Sequence, residues 1–537
     1  MADDNQKLEF AFKALTIDDP FAASVELPKD VEEALEWQAS RSPEAVMQER
    51  ESSTTEVERA GRIMWETGRC TAWLQDSDEH VKKVSQTVNG VMMHDFAGAL
   101  AHSDADIANM FQQGAPLFGE LPLSGIGAAC EVSSAIGDVG LLRSQCRSSN
   151  QHLIDRIRDD PHEEAIHEMA CADATRGWMS HPMPASQCDL ECTRAVPRFG
   201  VVQGVKKDGS VKVRAVDNFS WTAPCLSGER LTRKQSKATS LNGCTHIPEV
   251  IKHDHLDDLV AVLRQGRASF GELPSMFKAD VASAFRRIPI RPDHTWAAGI
   301  MYKYRGQVMF CKHFSAPFGA SSSVYNWERV GRFFCTLARR LLHIALLEYV
   351  DDHFAAERSA TVEHAMLCFA RIVRAMLGPL AIAPEKLAFG QSLTVLGVSV
   401  CLAPDRFVLR PDREKLEKCL VVMKAALESD GSLSSGCAQK LAGRLQWACQ
   451  YLFHRLGRAM IRPIYRQIAN RNSRVNSDLQ VALEWWCDVI CEDIAEERFW
   501  ELPEAPVAHL FVDASGNSSR FVPCILVLLS AVRPVCM

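Results

Sequence analysis

No run in these 537 residues is long and apolar enough to span a bilayer. The longest, FVPCILVLLSAV at 521–532, is too short and contains a proline. The N-terminus MADDNQKLEF is acidic and polar, unlike a secretory leader. No internal repeat or long low-complexity tract is visible. The 19 cysteines are scattered over the chain, so no small disulfide framework is expected. Reduced thiols in an intracellular compartment, cytoplasm or nucleus, fit better, with no membrane as partner. What is present is ordinary for a soluble globular protein, with 47% hydrophobic and 24% charged residues. The length exceeds one compact domain, and about two to four are expected.

Strong net charge is also missing, but the value of −7 hides an asymmetry. Residues 1–200 carry 17 basic and 34 acidic side chains, whereas residues 201–537 carry 43 and 33. The second part can face a polyanion more readily than the first. A bland surface imbalance gives the same count.

Residues 1–110 form an acidic region with patchy helical patterns such as VEEALEWQA and TEVERAGRIMWE, and no evident chemistry. Residues 111–190 read as a leader, opening on the loop-like GAPLFGELPLSGIG and turning helical at 150–176. From 191 to 400 short strands alternate with helices. Lys206-Lys207-Asp208-Gly209 lies between alternating runs, a hairpin signal. MFKADVA, GIMYKY, VMFCKHF, LLEYV, HFAA and LTVLGVSV read as strands. Residues 401–500 are mostly helical, with Leu416, Leu420, Met423 and Leu427 on one stripe. Leu441, Leu445, Ala448, Leu452 and Leu456 form a second stripe, and both are expected to be packing faces.

Two groups of residues invite a chemical reading. His167, Cys171, Cys188 and Cys192 have paired spacing that could hold zinc tetrahedrally, although unrelated buried cysteines explain them more simply. The second group is acidic. Asp-Asp pairs occur five times, so a bare pair means little. Only Asp351-Asp352 separates two apolar strand-like runs, where a tight turn would put both carboxylates at a hairpin tip. Asp280 ends another strand-like run. Strands ending in carboxylates within one sheet can share divalent cations, and Mg²⁺ takes oxygen ligands from one or two carboxylates plus substrate phosphates.

Four segments, carrying five ordered elements, then resemble the reverse transcriptases. YVDD (349–352) looks like their catalytic hairpin, and MFKADVASAFRRIPI (276–290) is similar to their first carboxylate motif. SAPFGASSSVYNWERV (315–330) resembles their PFG segment. GPLAIAPEKLAFGQSLTVLGVSV (378–400) resembles the lysine segment followed by the primer-grip turn. The resemblance implies an α+β right-hand polymerase with fingers, palm and helical thumb, preceded by the acidic, mostly helical extension. It implies an RNA-directed DNA polymerase that takes dNTPs and an RNA or DNA template-primer, using two Mg²⁺ ions with Mn²⁺ as a substitute. Asp280 and Asp351 would ligate metal with the Val281 carbonyl, and Asp352 would support them. Lys386 would donate a proton to pyrophosphate. Lys206, Lys207 and Arg214 would clamp the triphosphate, and Phe285 would exclude a 2′-hydroxyl. Phe318, Gly319 and Tyr349 complete the implied nucleotide site.

RFGVVQ, the short Arg214–Asp217 spacing and Phe318 in PFG resemble the DIRS-type, tyrosine-recombinase retroelements more than the retroviral enzymes. HLFVDASG (509–516) is similar to the first strand of a ribonuclease H domain, with Asp513 as its first carboxylate. No Asp or Glu follows it, so residues 505–537 are expected to be a truncated fragment without ribonuclease H activity. Two rival expectations remain: an RNA-dependent RNA polymerase, and a decayed or co-opted retroelement protein that only binds nucleic acid.

Overall fold

A computed structural model describes residues 25–130, 137–205, 209–222, 239–428, 431–451, 457–470, 472–492, 496–500, 510–513 and 524–527. The chain opens with α1 (Lys29–Ala39) and α2 (Pro43–Glu66). Ser42 caps α2 by accepting from the Ala45 amide, with Pro43 at the first helical position. A hairpin of β1 (Ala195–Val205) and β2 (Val211–Asp217) follows several short helices. Next come α3 (Leu256–Phe270), β3 (Pro274–Asp280), β4 (Gly299–Tyr304) and β5 (Gln307–Lys312). Then come α4 (Ser321–Leu341), β6 (Ala345–Tyr349), β7 (Asp352–Arg358) and α5 (Val362–Leu377). Short strands β8 (Ala388–Gly390), β9 (Ser392–Val395), β10 (Val398–Leu402) and β11 (Arg406–Pro411) lead to four helices. These are α6 (Arg413–Leu427), α7 (Ser435–Tyr451), α8 (Arg458–Ala469) and α9 (Ser477–Cys491). Strand β12 (Glu496–Phe499) joins β11, and β13 (Leu510–Asp513) pairs with β14 (Cys524–Val527).

The central sheet is antiparallel in the order β8-β3-β7-β6. Strand alternation divides its side chains between two cores. Met276, Ala345, Leu347, Phe354 and Ala356 pack with α1 and α3. Phe277, Ala279, Leu346 and Ala355 pack with α4 and α5. A second sheet, in the order Met183–Pro184, β5, β4, β1, β2, carries the predicted hairpin. Its turn residues Lys206 and Lys207 lie outside the described residues. A third sheet, β9-β10-β11-β12, turns at Leu396-Gly397. Leu416, Leu420, Met423, Leu441, Leu445 and Ala448 share the C-terminal helical core, as the stripes predict, with Leu427 packed at its margin. Leu452 and Leu456 lie outside the described residues.

Helix α4 is apolar on its sheet side, through Trp327, Val330, Phe334 and Leu337, but its Glu328, Arg329 and Arg339 are buried too. Burying an arginine is expensive unless it is paired. The acidic N-terminal region supplies much of the pairing. Arg329 binds Asp104 through two hydrogen bonds of 2.6 and 3.1 Å. Arg339 reaches Asp30 at 3.3 Å. On α5, Arg371 is held by Glu51 and Glu58. One pair runs in the opposite sense: Arg50 of α2 meets Glu357 of β7 at 2.9 Å, and both side chains are fully buried. The acidic helices are therefore part of the central core's packing.

Candidate active site

The carboxylates gather because of strand register. Asp352 lies opposite Tyr349 on β6 and opposite Asp280 on β3. Residues directly across a sheet project from the same face, so Asp280, Asp352 and Tyr349 share one. The expected turn is shifted by one residue: its two loop residues are Val350 and Asp351, and Asp352 already belongs to β7. Apolar pairing sets this register, with Leu347 opposite Phe354 and Leu346 opposite Ala355. Asp351 thus projects from the turn itself. Its carbonyl accepts the Val281 amide at 3.1 Å, joining the turn to the chain leaving β3.

The turn is strained. Val350 has φ of 56°, a left-handed conformation that a β-branched residue rarely adopts. The indole N–H of buried Trp327 donates to the Val350 carbonyl at 2.7 Å and holds it. Behind the turn, Glu348 is fully buried, and its carboxyl fills the notch left by Gly331 on α4. A Cβ at position 331 would overlap that carboxyl. Burial, and then Glu328, raise the Glu348 pKa well above the usual carboxylate range. Asp254 brackets this residue, accepting its amide and donating to its carbonyl, each at 2.9 Å.

Charge at the site is unbalanced. Burial and then Asp280 raise the Asp351 pKa, while Arg214 and Lys386 oppose the shift. Asp352 opens to solvent on one side, yet surrounding protein, then Asp351 and Asp280, push it up to about 6. The cation at the centre is Lys386, whose Nζ lies 2.7 Å from Asp280 Oδ2. That contact raises the Lys386 pKa. Lys278 of β3 instead donates to the Thr394 carbonyl at 2.8 Å.

Beside the carboxylates is an aromatic and basic ledge. Phe285 and Phe318 have ring centroids 5.0 Å apart. The Arg214 guanidinium caps the Phe318 ring at 4.6 Å. Gly319 has φ of 98°, and a Cβ there would overlap the Asp217 carbonyl oxygen. Asn242 donates to the Gly319 carbonyl and accepts the Ser321 amide, each at 2.9 Å. Tyr349 turns away from this ledge toward the rings of His253 and His255, at 5.1 and 5.5 Å. The structure thus brings Asp280, Val281, Asp351, Asp352 and Lys386 together, with Arg214, Phe285, Phe318 and Gly319 alongside.

Trp327, Gly331 and Glu348 were not singled out as functional by the sequence. Inside an apolar helix Trp327 reads as core, and only the strained turn reveals its polar task. Asp217 is structural, buried between Arg198 at 2.6 Å and His313 at 2.9 Å.

The zinc reading of His167, Cys171, Cys188 and Cys192 is not supported. His167 stacks on Tyr304 at 3.9 Å and Cys188 bonds the Pro184 carbonyl. His167 and Cys171 are neighbours at 3.6 Å, but the four do not converge on one point. Strands β13 and β14 pair with Asp513 opposite Cys524, and most of the segment expected to begin a ribonuclease H domain lies outside the described residues.

No known family model matches the chain, and no curated protein matches it. Among solved structures it is similar to the foamy viral protease-reverse transcriptase dRH in complex with double-stranded DNA. That match has 15% identity and a TM-score of 0.43, covering 74% of this chain and 60% of that one. The foamy viral protease-reverse transcriptase in complex with double-stranded DNA matches at 14% identity and TM-score 0.41, over 84% of this chain and 81% of that one. The same viral protein with an RNA/DNA hybrid matches at 13% identity and TM-score 0.38, over 77% of this chain and 46% of that one. Likeness at these scores is loose, and the carboxylate geometry is what bears on function.

Proposed function

We propose that this chain is an RNA-directed DNA polymerase of a retroelement. The reaction would be attack of a primer 3′-hydroxyl on the α-phosphate of a dNTP, with pyrophosphate leaving. The observation that carries this reading is the register: Asp352 opposite Asp280, and the turn residue Asp351 tied to Val281. An all-oxygen donor set suits hard cations, and the raised Asp351 and Asp352 pKa values reflect burial and then carboxylate repulsion, both of which such cations would offset. The donors fit Mg²⁺ or Mn²⁺. Asp280, Asp351 and the Val281 carbonyl would hold two ions, with Asp352 in support. When bound, the ions would activate the hydroxyl and neutralise charge on the reacting phosphate.

The protein's own residues would do the rest. Arg214, over the Phe318 ring, would offer a guanidinium fork for phosphate oxygens, and Lys206 and Lys207 would join it. Phe285 would lie beneath the sugar and exclude a 2′-hydroxyl. Gly319 would meet the nucleotide through its backbone, although the space a side chain would take is filled by the Asp217 carbonyl. Lys386, beside Asp280, would supply the proton to departing pyrophosphate. Affinity with the DIRS-type group, and a ribonuclease H-like segment at 505–537, are part of the same reading. So is an intracellular setting.

Extension of a DNA primer on an RNA template with Mg²⁺ or Mn²⁺ tests it, using dNTPs or rNTPs and comparing wild type with Asp351→Asn. The expected result is dNTP incorporation by wild type alone. Absence of incorporation by folded protein, or equal incorporation by Asp351→Asn, would overturn it. Preference for rNTPs would favour an RNA polymerase instead.

A further inference from the structure

Three side chains of types that can ligate metal meet where α2 packs along α5. His364 and Cys368 lie one turn apart on α5, so they share a face of the helix. Glu51 approaches from α2, which packs along α5. His364 Nε2 lies 3.4 Å from Glu51 Oε2 and 3.7 Å from Cys368 Sγ. All three donor atoms fall within 4.8 Å of one another, the one such group of His, Cys, Asp or Glu among the described residues.

The spacings are informative. The Glu51–His364 spacing exceeds a good N–H···O hydrogen bond and equals the N–O edge of a zinc tetrahedron, about 3.4 Å for bonds of about 2.0–2.1 Å. Cys368 Sγ is 3.7 Å from both ring nitrogens of His364, so a turn of that ring would bring sulfur and Nε2 onto one ion. We propose that Glu51, His364 and Cys368 bind one zinc-class divalent ion, leaving the fourth position to water on the exposed Glu51 side. A mixed oxygen, nitrogen and sulfur set selects zinc over Mg²⁺. This site is independent of the proposed polymerase reaction.

The surrounding groups permit it. Arg371 donates to both Glu51 oxygens at 2.8 Å, but it also binds Glu58 at 3.0 and 2.7 Å. Glu58 can keep that guanidinium when Glu51 turns one oxygen to a metal. Arg50 is engaged by Glu357, and Thr55 bonds Glu51 at 3.2 Å. Burial lowers the His364 pKa, which favours its neutral, ligating form. Burial raises the Cys368 thiol, so metal binding would release its proton. The ion would pin α2 to α5, the helix that backs β3.

Cobalt(II) titration of the full chain under reducing conditions tests the proposal. Wild type should show tetrahedral d–d absorption and a thiolate-to-cobalt charge-transfer band, reversed by zinc. Cys368→Ser should lose that charge-transfer contribution. Glu51→Gln, at a half-exposed position where Glu58 still holds Arg371, should weaken binding about tenfold or more. Circular dichroism checks the fold of each variant. No charge-transfer band in wild type, or a spectrum and affinity unchanged in both variants, would overturn the site. If Cys368→Ser does not fold, Glu51→Gln alone decides.

Discussion

Asp352 faces Asp280 directly across two antiparallel strands, and the amide following Asp280 is bonded to the carbonyl preceding Asp352. Three carboxylates are thereby fixed by backbone pairing, with Lys386 the cation in contact with one of them. Holding acidic groups this close costs stability. Replacing Asp352 with Asn should raise thermal stability in metal-free buffer by on the order of 1 kcal/mol, discounted for its solvent access. The same change should lower dNTP incorporation, and Asp351→Asn should lower it by about two to three orders of magnitude or more. Calorimetry and single-nucleotide extension on the same preparations would check both signs. A variant that loses stability and keeps activity contradicts this account.

The strain at Val350 rests on Trp327. Removing the indole N–H with Trp327→Phe deletes one hydrogen bond, which costs about 1 kcal/mol of stability. Activity should fall by more than that loss implies, because Asp351 sits next in the turn. Proportionate losses in melting temperature and turnover would show that the indole only packs.

The N-terminal helices should be indispensable to the central fold. Arg50→Ala would leave Glu357 buried without its partner, at a cost of about 3–5 kcal/mol. Chemical denaturation of wild type, Arg50→Ala and the double variant Arg50→Met/Glu357→Leu would test it. The double variant, which removes both charges, should recover much of the loss. Equal stability of all three would mean that the ion pair is dispensable.

Gly319→Ala should be poorly tolerated. The backbone there is left-handed, and the new methyl group meets the Asp217 carbonyl. The adjoining Phe318 would shift, and with it Arg214. The expected readout is a higher KM for dNTP together with a lowered melting temperature. An unchanged KM would detach the ledge from nucleotide binding.

Acid should weaken the fold through buried histidines. Burial lowers the pKa of His102 and His294 to about 4, and that of His313 to about 3. In the unfolded chain a histidine takes its proton near pH 6.5. Between those values the unfolded state binds more protons, so stability rises with pH. The contribution is complete above about pH 6.5 and is lost as pH falls toward 4. By pH 5 the loss is on the order of 1–2 kcal/mol per histidine. Melting curves at pH 7.5, 6 and 5 should descend in that order, and a flat series would refute the assignment.

The sequence reveals most where chemistry and strand pattern coincide. Asp280, Asp351 and Asp352 stand at the ends of short apolar alternations, so the local pattern places them at strand termini. The exact turn was less visible, because shifting the loop by one residue changes no residue type, only which side chains pair. Lys386 could be named, but its contact with Asp280, 106 positions away, depends on how β8 adds to the sheet edge. The acidic helices were the least legible part. Asp30, Glu51, Glu58 and Asp104 look like solvated charges until their arginine partners, 225 to 320 residues downstream, pack against them. Similarly, Glu51, His364 and Cys368 make no motif in the linear chain.

Those internal pairs change what the basic second part of the chain can offer a nucleic acid. Counterions are displaced from a duplex only by cations that reach its phosphates. Arg329, Arg332, Arg339 and Arg371 are already neutralised by carboxylates within the fold. The steepness with which salt weakens template binding should therefore be shallower than the count of basic residues suggests.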